Sequence, residues 1–294
     1  MRILLLGSSQ TKHISNLFSK EGYKIVKSEC KNGGFLGKIE FFSKLLVTDM
    51  IYHVGGIDIS SSLFFRIAYL LRKKIVVHWI GTDVLNFTKA EKKGINRNCI
   101  NLVVSEQLQN ELKEIDINSF VVPIFPPNFS CDVMTPPKKH SVLSYVPETR
   151  EEFYGMTLLK KIAEHFSDID FHIVANSGKN DNRKLHNMHY HGFLNADELK
   201  KMYKECSVLF RFPEHDGLPV MVLEALGYGR TVIYRYEFPY VYTPRSGDFN
   251  DVITVFEKVF STSPKAAEEA SAFVAAEFSM ARQIQLYKAS GTIR

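Results

Sequence analysis

The sequence predicts an α/β protein made of two Rossmann-like, doubly wound domains in tandem, closed by a C-terminal helix. Three observations carry this expectation. Short apolar runs alternate with amphipathic stretches from the first residues onward. A proline-rich stretch interrupts the alternation before the middle of the chain, and the alternation then restarts and runs to an Ala- and Glu-rich end. The length, 294 residues, suits two domains of ordinary size.

The elements follow in order. Arg2 to Leu6 is an apolar strand that stops at Gly7-Ser8-Ser9. A helical stretch around Thr11 to Glu21, then Gly22 and a strand at Tyr23 to Lys27, complete the opening β-turn-α-β unit. Asp49 to Val54 is a strand ending at Gly55-Gly56, Ser61 to Leu71 a helix, and Lys74 to His78 another strand. Asn101 to Val104 and Phe120 to Val122 finish the first sheet. Pro123, Pro126, Pro127, Pro136 and Pro137 then mark a linker, because proline offers no N–H and fixes φ. After it come strands at Ser141 to Val146, Asp170 to Ala175, His189 to Gly192, Val208 to Phe212 and Thr231 to Tyr234. Helices at Met156 to Phe166, Ala196 to Glu205 and Met221 to Tyr228 separate them, and Pro264 to Tyr287 is helical. The expected division is residues 1–132, a linker at 133–140, residues 141–263, and a C-terminal helical segment at 264–294.

Composition narrows the class. Hydrophobic residues at 45% and charged residues at 23% describe a folded, soluble chain. The net charge of +5 is mild and scattered; it suits an anionic ligand such as a diphosphate and argues against nucleic acid. Cys30, Cys99, Cys131 and Cys206 form no CxxC, so they read as free thiols in a reducing compartment. The opening MRILLLGSSQ reads as a core strand, not a signal peptide, and no apolar stretch reaches bilayer-spanning length. A cytoplasmic protein is expected. The stretch SSSLFFRIAYLLRKK, Ser60 to Lys74, reads as a helix packed on the sheet with Arg72, Lys73 and Lys74 solvated at its end; the alternative is peripheral contact with the inner face of a membrane.

The densest chemical signal is SVLFRFPEHDGLPVMVLEALGYGRTVI, Ser207 to Ile233. A buried strand ends in a polar loop, Gly217 allows a tight turn, and Pro219 stands where a helix can begin. Unpaired amides and the helix dipole at such a turn favour phosphate. Glu224 lies in a helix otherwise made of Val, Met, Leu and Ala, so its carboxylate needs a partner. Two adjacent hydroxyls, as on a ribose, would supply one. The bland alternative is an ordinary βα turn with a buried, satisfied glutamate.

HDGLPVMVLEALGYG resembles the signature of retaining GT-B glycosyltransferases of the GT4 type, the glycosyltransferase group 1 family. Asp216 and Glu224, separated by seven residues around a GLP turn, have the family spacing, with Asp where the family usually has Glu. The resemblance implies two Rossmann-like domains facing a central cleft, an acceptor-side N-terminal domain and a C-terminal domain that binds a nucleotide-diphosphate sugar. It implies that Asp216 bonds donor-sugar hydroxyls and Glu224 holds the ribose, while the turn Gly217-Leu218-Pro219 caps sugar and diphosphate through its amides. Glu214 competes for the first acidic position, but its spacing is wrong. VVHWIGTDVL resembles an N-terminal-domain stretch in which a His faces the donor sugar; His78 matches, and the alternative is a strand-end His bonded to backbone. Asp83 either orients it or caps the next helix. Gly7 and Ser8 lie at the first βα turn, facing diphosphate or acceptor.

The family places an Arg and a Lys after the first strand of the second domain to neutralise the departing diphosphate. Here SYVPETREEFYG offers Arg150 alone, with Arg211, Arg230 and Arg235 as substitutes. Arg150 otherwise pairs with Glu151 or Glu152. Phe193, in HGFL, occupies the nucleobase position, with core packing as the alternative. The resemblance implies transfer of a sugar to an unknown acceptor (a glycan, a lipid-linked sugar or a small molecule) with retention of anomeric configuration. It needs no cofactor and no metal, and the sequence has no DxD motif or metal-spaced His/Cys cluster. A nucleotide-sugar-binding or partner protein without transfer activity is the alternative function; a sugar-nucleotide epimerase is a third reading.

Overall fold

A computed structural model of the chain describes residues 1–7, 10–26, 42–59, 62–88, 95–125 and 131–294. They divide into two compact units: Met1–Phe129 with His215–Leu218 and Phe278–Arg294, and Ser130–Glu214 with Pro219–Glu277.

The first unit starts with β1 (Arg2–Gly7), α1 (Thr11–Lys20), β2 (Lys24–Val26) and β3 (Met50–Val54). It continues with α2 (Leu63–Leu70), β4 (Lys74–Trp79), α3 (Thr82–Thr88), β5 (Ile100–Val103), α4 (Glu106–Glu114) and β6 (Phe120–Val121). Residues 42–47 are also helical. The six strands pair in parallel in the order β2-β1-β3-β4-β5-β6. Strands covered on both faces need continuous apolar sequence, which IVVHW in β4 supplies. The strand order reverses direction between β1 and β3, so the crevice beyond their C-terminal ends is this sheet's switch point. Gly7 stands there at φ +107°, and a Cβ on it would collide with the Val54 carbonyl, so only glycine lets β1 and β3 stay paired to their ends. The chain's one tryptophan, Trp79, is buried in this core. Its indole N–H donates to Asn101 Oδ1 at 3.1 Å, and its ring lies 4.9 Å from Phe87.

The second unit comprises β7 (Ser141–Tyr145), α5 (Met156–His165), β8 (Asp170–Val174), β9 (Met188–Tyr190) and α6 (Ala196–Glu205). Then follow β10 (Val208–Arg211), α7 (Val220–Gly227), β11 (Thr231–Tyr234), α8 (Phe249–Phe260) and α9 (Glu268–Glu277). Five parallel strands take the order β11-β10-β7-β8-β9, which puts this switch point between β7 and β10. Asn195 and Glu198 close a reciprocal capping box at the start of α6, worth about 1 kcal/mol.

The C-terminal stretch is two helices, not one. α9 ends at Glu277, and Ser279 caps the second helix, α10 (Met280–Ala289), by accepting from the Arg282 amide. α9 belongs to the second unit and α10 to the first, where Tyr287 is fully buried and Gln283 donates to the Pro123 carbonyl at 2.7 Å. Residues 133–140 contain no helix or strand. The buried Arg230 ties down this linker, donating to the carbonyls of Met134 at 2.6 Å and Thr135 at 3.1 Å.

Candidate functional site

In the second unit the site begins at the β7–β10 switch point. Every residue of β10 is buried, and its last, Arg211, brings a guanidinium 5.4 Å from the Tyr145 ring and 5.3 Å from the Tyr154 ring. Tyr145 ends β7, so both sides of the switch point converge on one cation held between aromatic faces. Burial, then Tyr154, push the Tyr145 phenol upward, and the Arg211 charge opposes them. Tyr154 stands in the segment where the resemblance leads one to expect a second basic residue. Arg150 is exposed and lies over the Phe153 ring at 3.7 Å. Among the described residues it does not take up the expected surface ion pair: Glu151 accepts from Asn176 and Glu152 from Thr157.

α7 starts at Pro219 in extended conformation, without a side-chain cap and without an acidic residue in its first turn. Its amide end therefore keeps its positive character. One turn further, Glu224 is half-buried, and Oε2 accepts from the Tyr203 hydroxyl at 2.8 Å. Burial holds the Glu224 carboxyl above the usual range, with Tyr203 partly offsetting it. Tyr203 is itself buried, and desolvation and the neighbouring carboxylate drive its phenol well above the ordinary value. Sequence reasoning missed Tyr203. The available signal was Met202-Tyr203 on the buried face of an amphipathic helix, a place where a phenol needs a polar partner.

Phe193, just after β9, is 91% exposed, so the core-packing alternative does not hold. Its loop is fixed from below: the Ala175 amide donates to the Gly192 carbonyl and the Gly192 amide to the Asn176 carbonyl. Arg230 precedes β11, at the opposite end of the sheet from Arg211, and its guanidinium donates to the linker carbonyls. Arg235 follows β11, with its guanidinium 5.3 Å from the Phe212 ring. It lines a cavity of about 290 Å³ with Lys161, Glu152 and Glu214.

Four residues of the signature, His215–Leu218, belong to the first unit, whereas Glu224 belongs to the second. Gly217 is required by close approach, since a Cβ would collide with the Ile80 carbonyl and meet Val104 Cγ2 at 2.8 Å. Leu218 packs against the first core. Asp216 is half-buried and accepts from the Gly217 amide at 3.1 Å. His215 is buried and pairs with Glu111 at 2.9 Å. Burial raises the Glu111 carboxyl, but bonds from His215 and Gln107 outweigh it and leave it below the usual range.

Asp83 neither orients His78 nor caps in the ordinary forward sense. Its carboxylate collects the amides of Gly56, Ile80 and Gly81, at 2.6 Å for Gly81, and so joins the loops that follow β3 and β4. His78, expected to face the donor sugar, is fully buried. Nε2 bonds the Val122 carbonyl at 2.8 Å and Nδ1 the Tyr52 hydroxyl at 2.6 Å, so the backbone-bonded alternative describes it and no ring atom is open to a ligand. Burial pushes its pKa down to about 3. Gly7 lies at the β1 end as expected; Ser8 lies outside the described residues. Among the described residues no group of three His, Cys, Asp or Glu is arranged to hold a metal ion.

No family model and no curated protein matches this chain. Solved structures do. Sucrose-phosphate synthase from Thermosynechococcus elongatus matches with a TM-score of 0.73 at 12% identity over 99% of both chains. The lipopolysaccharide outer core galactosyltransferase WaaB matches at 0.69 and 17%, also over 99% of both chains. A point mutant of S. aureus TarM, in complex with fondaparinux, alpha-GlcNAc-glycerol and UDP, matches at 0.66 and 14%, where the present chain spans 57% of the TarM chain. At such identities the likeness concerns architecture, and with the two parallel sheets and their strand orders it establishes that the chain has the GT-B fold.

Proposed function

We propose that the chain is a glycosyltransferase that moves a sugar from a nucleoside-diphosphate sugar to an acceptor, with retention of anomeric configuration and without a metal ion. The observation that carries this reading is Glu224: a half-buried carboxylate one turn into an uncapped helix, with Tyr203 as its one hydrogen-bond partner among the described residues. A half-buried carboxylate has lost part of its hydration, so its remaining lone pairs favour a ligand that donates. The two hydroxyls of a ribose fit that need. Solved neighbours support the donor class: TarM was captured with UDP, and the pneumococcal O-GlcNAc transferase GtfA with UDP and GlcNAc.

In this reading the chemical task is to receive negative charge on the departing diphosphate. The α7 amides and the Arg211 guanidinium lie at the C-terminal ends of β10 and β7, where charge can be met by groups already in position. Arg150 adds a second cation, and the rings beneath both hold their orientations. Phe193 offers an open face to the base. Asp216 is assigned to sugar hydroxyls on the strength of the resemblance. His78 has no contact role; it supports the end of β4.

A second reading, a donor-binding protein without transfer activity, is favoured by one observation: Tyr154 occupies the segment where a second basic residue is expected. A thermal-shift panel with UDP, GDP, ADP and their sugar conjugates tests the donor site. A ligand at a hundred times its dissociation constant adds about 2.7 kcal/mol of stability. A shift with one base that vanishes in Glu224→Ala supports the ribose assignment; no shift with any nucleotide overturns it. A shift without donor hydrolysis or transfer to any acceptor selects the second reading.

A further inference from the structure

The first unit carries a face that the donor chemistry does not use. α2 buries Phe64, Phe65 and Ala68 against its sheet. A helix packed in this way ordinarily turns polar residues outward. Here Leu63 is 64% exposed and Leu70 78%, spaced seven apart on one stripe with exposed Arg66 between them. Leu71 continues the apolar surface beyond the helix end, and the neighbouring helical residues 42–47 add Leu46, 72% exposed, and Val47. Two contacts hold that segment beside α2: Phe42 and Phe64 rings 5.8 Å apart, and Lys73 Nζ donating to the Thr48 carbonyl at 2.6 Å. Single exposed leucines are commonplace, but five large apolar side chains on adjoining elements are not.

Charge marks the same surface. Residues 62–74 contain Arg66, Arg72, Lys73 and Lys74 and no acid. Arg72 holds the left-handed conformation, φ 53°, at the position just past the helix end that glycine ordinarily fills. A charged side chain thus stands where an unstrained glycine would fit. Asp49, just after the 42–47 segment, is turned to the Arg2 amide at 2.6 Å. Lys74 is engaged by the carbonyls of Gly291 and Thr292 and Lys73 by that of Thr48, which leaves the exposed Arg66 and Arg72 as the cations of the rim.

We propose that this face, centred on Leu63, Leu70 and Leu71 with Arg66 and Arg72 at its edge, docks the protein onto an anionic lipid surface. Apolar side chains enter the headgroup boundary while the cations meet lipid phosphates. A second copy of the chain is a poorer occupant, because a two-fold contact through this patch sets cation against cation. The inference does not depend on the donor assignment.

Vesicle flotation of the full chain tests it. Wild type floats with phosphatidylglycerol-containing vesicles, floats poorly with pure phosphatidylcholine, and is released by high salt. Arg66→Glu and Arg72→Glu each weaken partitioning about fivefold or more. Leu63→Asp with Leu70→Asp abolishes it, while the thermal midpoint stays within a few degrees because both side chains already face water. Failure of wild type to float overturns the proposal, as does equal binding to neutral vesicles. So does a Leu63→Asp/Leu70→Asp variant that floats like wild type, or one whose sedimentation shows a dimer lost without any lipid binding.

Discussion

His78 and Glu224 are both ionisable groups set in apolar surroundings near the ends of parallel strands, one in each unit, and the chain treats them in opposite ways. His78 has both nitrogens engaged by protein, and Tyr52, which takes one of them, also bonds Tyr287 at 3.1 Å. Glu224 has Tyr203 on one carboxylate oxygen. Residue type alone nominates both as functional. The count of protein partners separates them: His78 is saturated by protein and fully buried, which suits a structural role, whereas Glu224 keeps one oxygen unpaired with protein among the described residues and is only half-buried.

The widest separation between the two comes from stability. His78→Ala opens a cavity and strands the Val122 carbonyl, so urea unfolding at neutral pH should show a loss of about 3 kcal/mol or more. Acid should act on the same residue. Its folded pKa of about 3 lies below the unfolded value of 6.5, so the unfolded state binds the extra proton first. The stability that neutral His78 contributes is complete above pH 6.5 and is lost as pH falls toward 3, by up to about 5 kcal/mol over the window. The gap between wild type and His78→Ala should therefore narrow at pH 4.5; a constant gap would mean that His78 is not held neutral.

Glu224→Ala should do the reverse, weakening nucleoside-diphosphate binding by about 2–4 kcal/mol in calorimetry while leaving stability unchanged or slightly improved. Because burial raises its pKa, binding that needs the carboxylate should strengthen as pH climbs above the ordinary glutamate range. Tyr203→Phe removes a bond that favours the ionised form. That profile should move to higher pH, with affinity at neutral pH falling by about 1 kcal/mol; an unmoved profile would detach Tyr203 from the site. The smallest effect is assigned to Phe193→Ala: about 1 kcal/mol of nucleotide affinity from a lost stacking face, and no change in melting. A large stability loss there would contradict its exposure.

The strands and the signature were legible because parallel strands announce themselves as apolar runs and the GLP turn has few uses. Ala196–Glu205 and Thr231–Tyr234 fall where periodicity and turn residues put them. α8 is hidden from such a reading, although Asp248 caps it and Val252, Ile253, Phe256 and Val259 recur at helical spacing. FNDVITVFEKVF is rich in β-branched and aromatic residues, and that composition obscured the period. The Asp83 clamp and the Tyr203 partner were out of reach for a different reason. Each joins residues more than twenty apart in sequence, Gly56 to Asp83 and Tyr203 to Glu224, and only the fold supplies such pairs. His78 shows the complementary error: a strand-end histidine looks alike in sequence whether it faces a ligand or a carbonyl.

The single tryptophan has a practical consequence. Trp79 lies in the first unit, sealed from solvent between Asn101 and Phe87, while Glu224, Tyr203 and Arg211 lie in the second. Indole emission therefore watches only one half of the molecule melt. Circular dichroism records both halves, and the two curves superimpose only if the units unfold as one. A nucleotide that steadies the second unit alone would shift the dichroism and leave the fluorescence where it was.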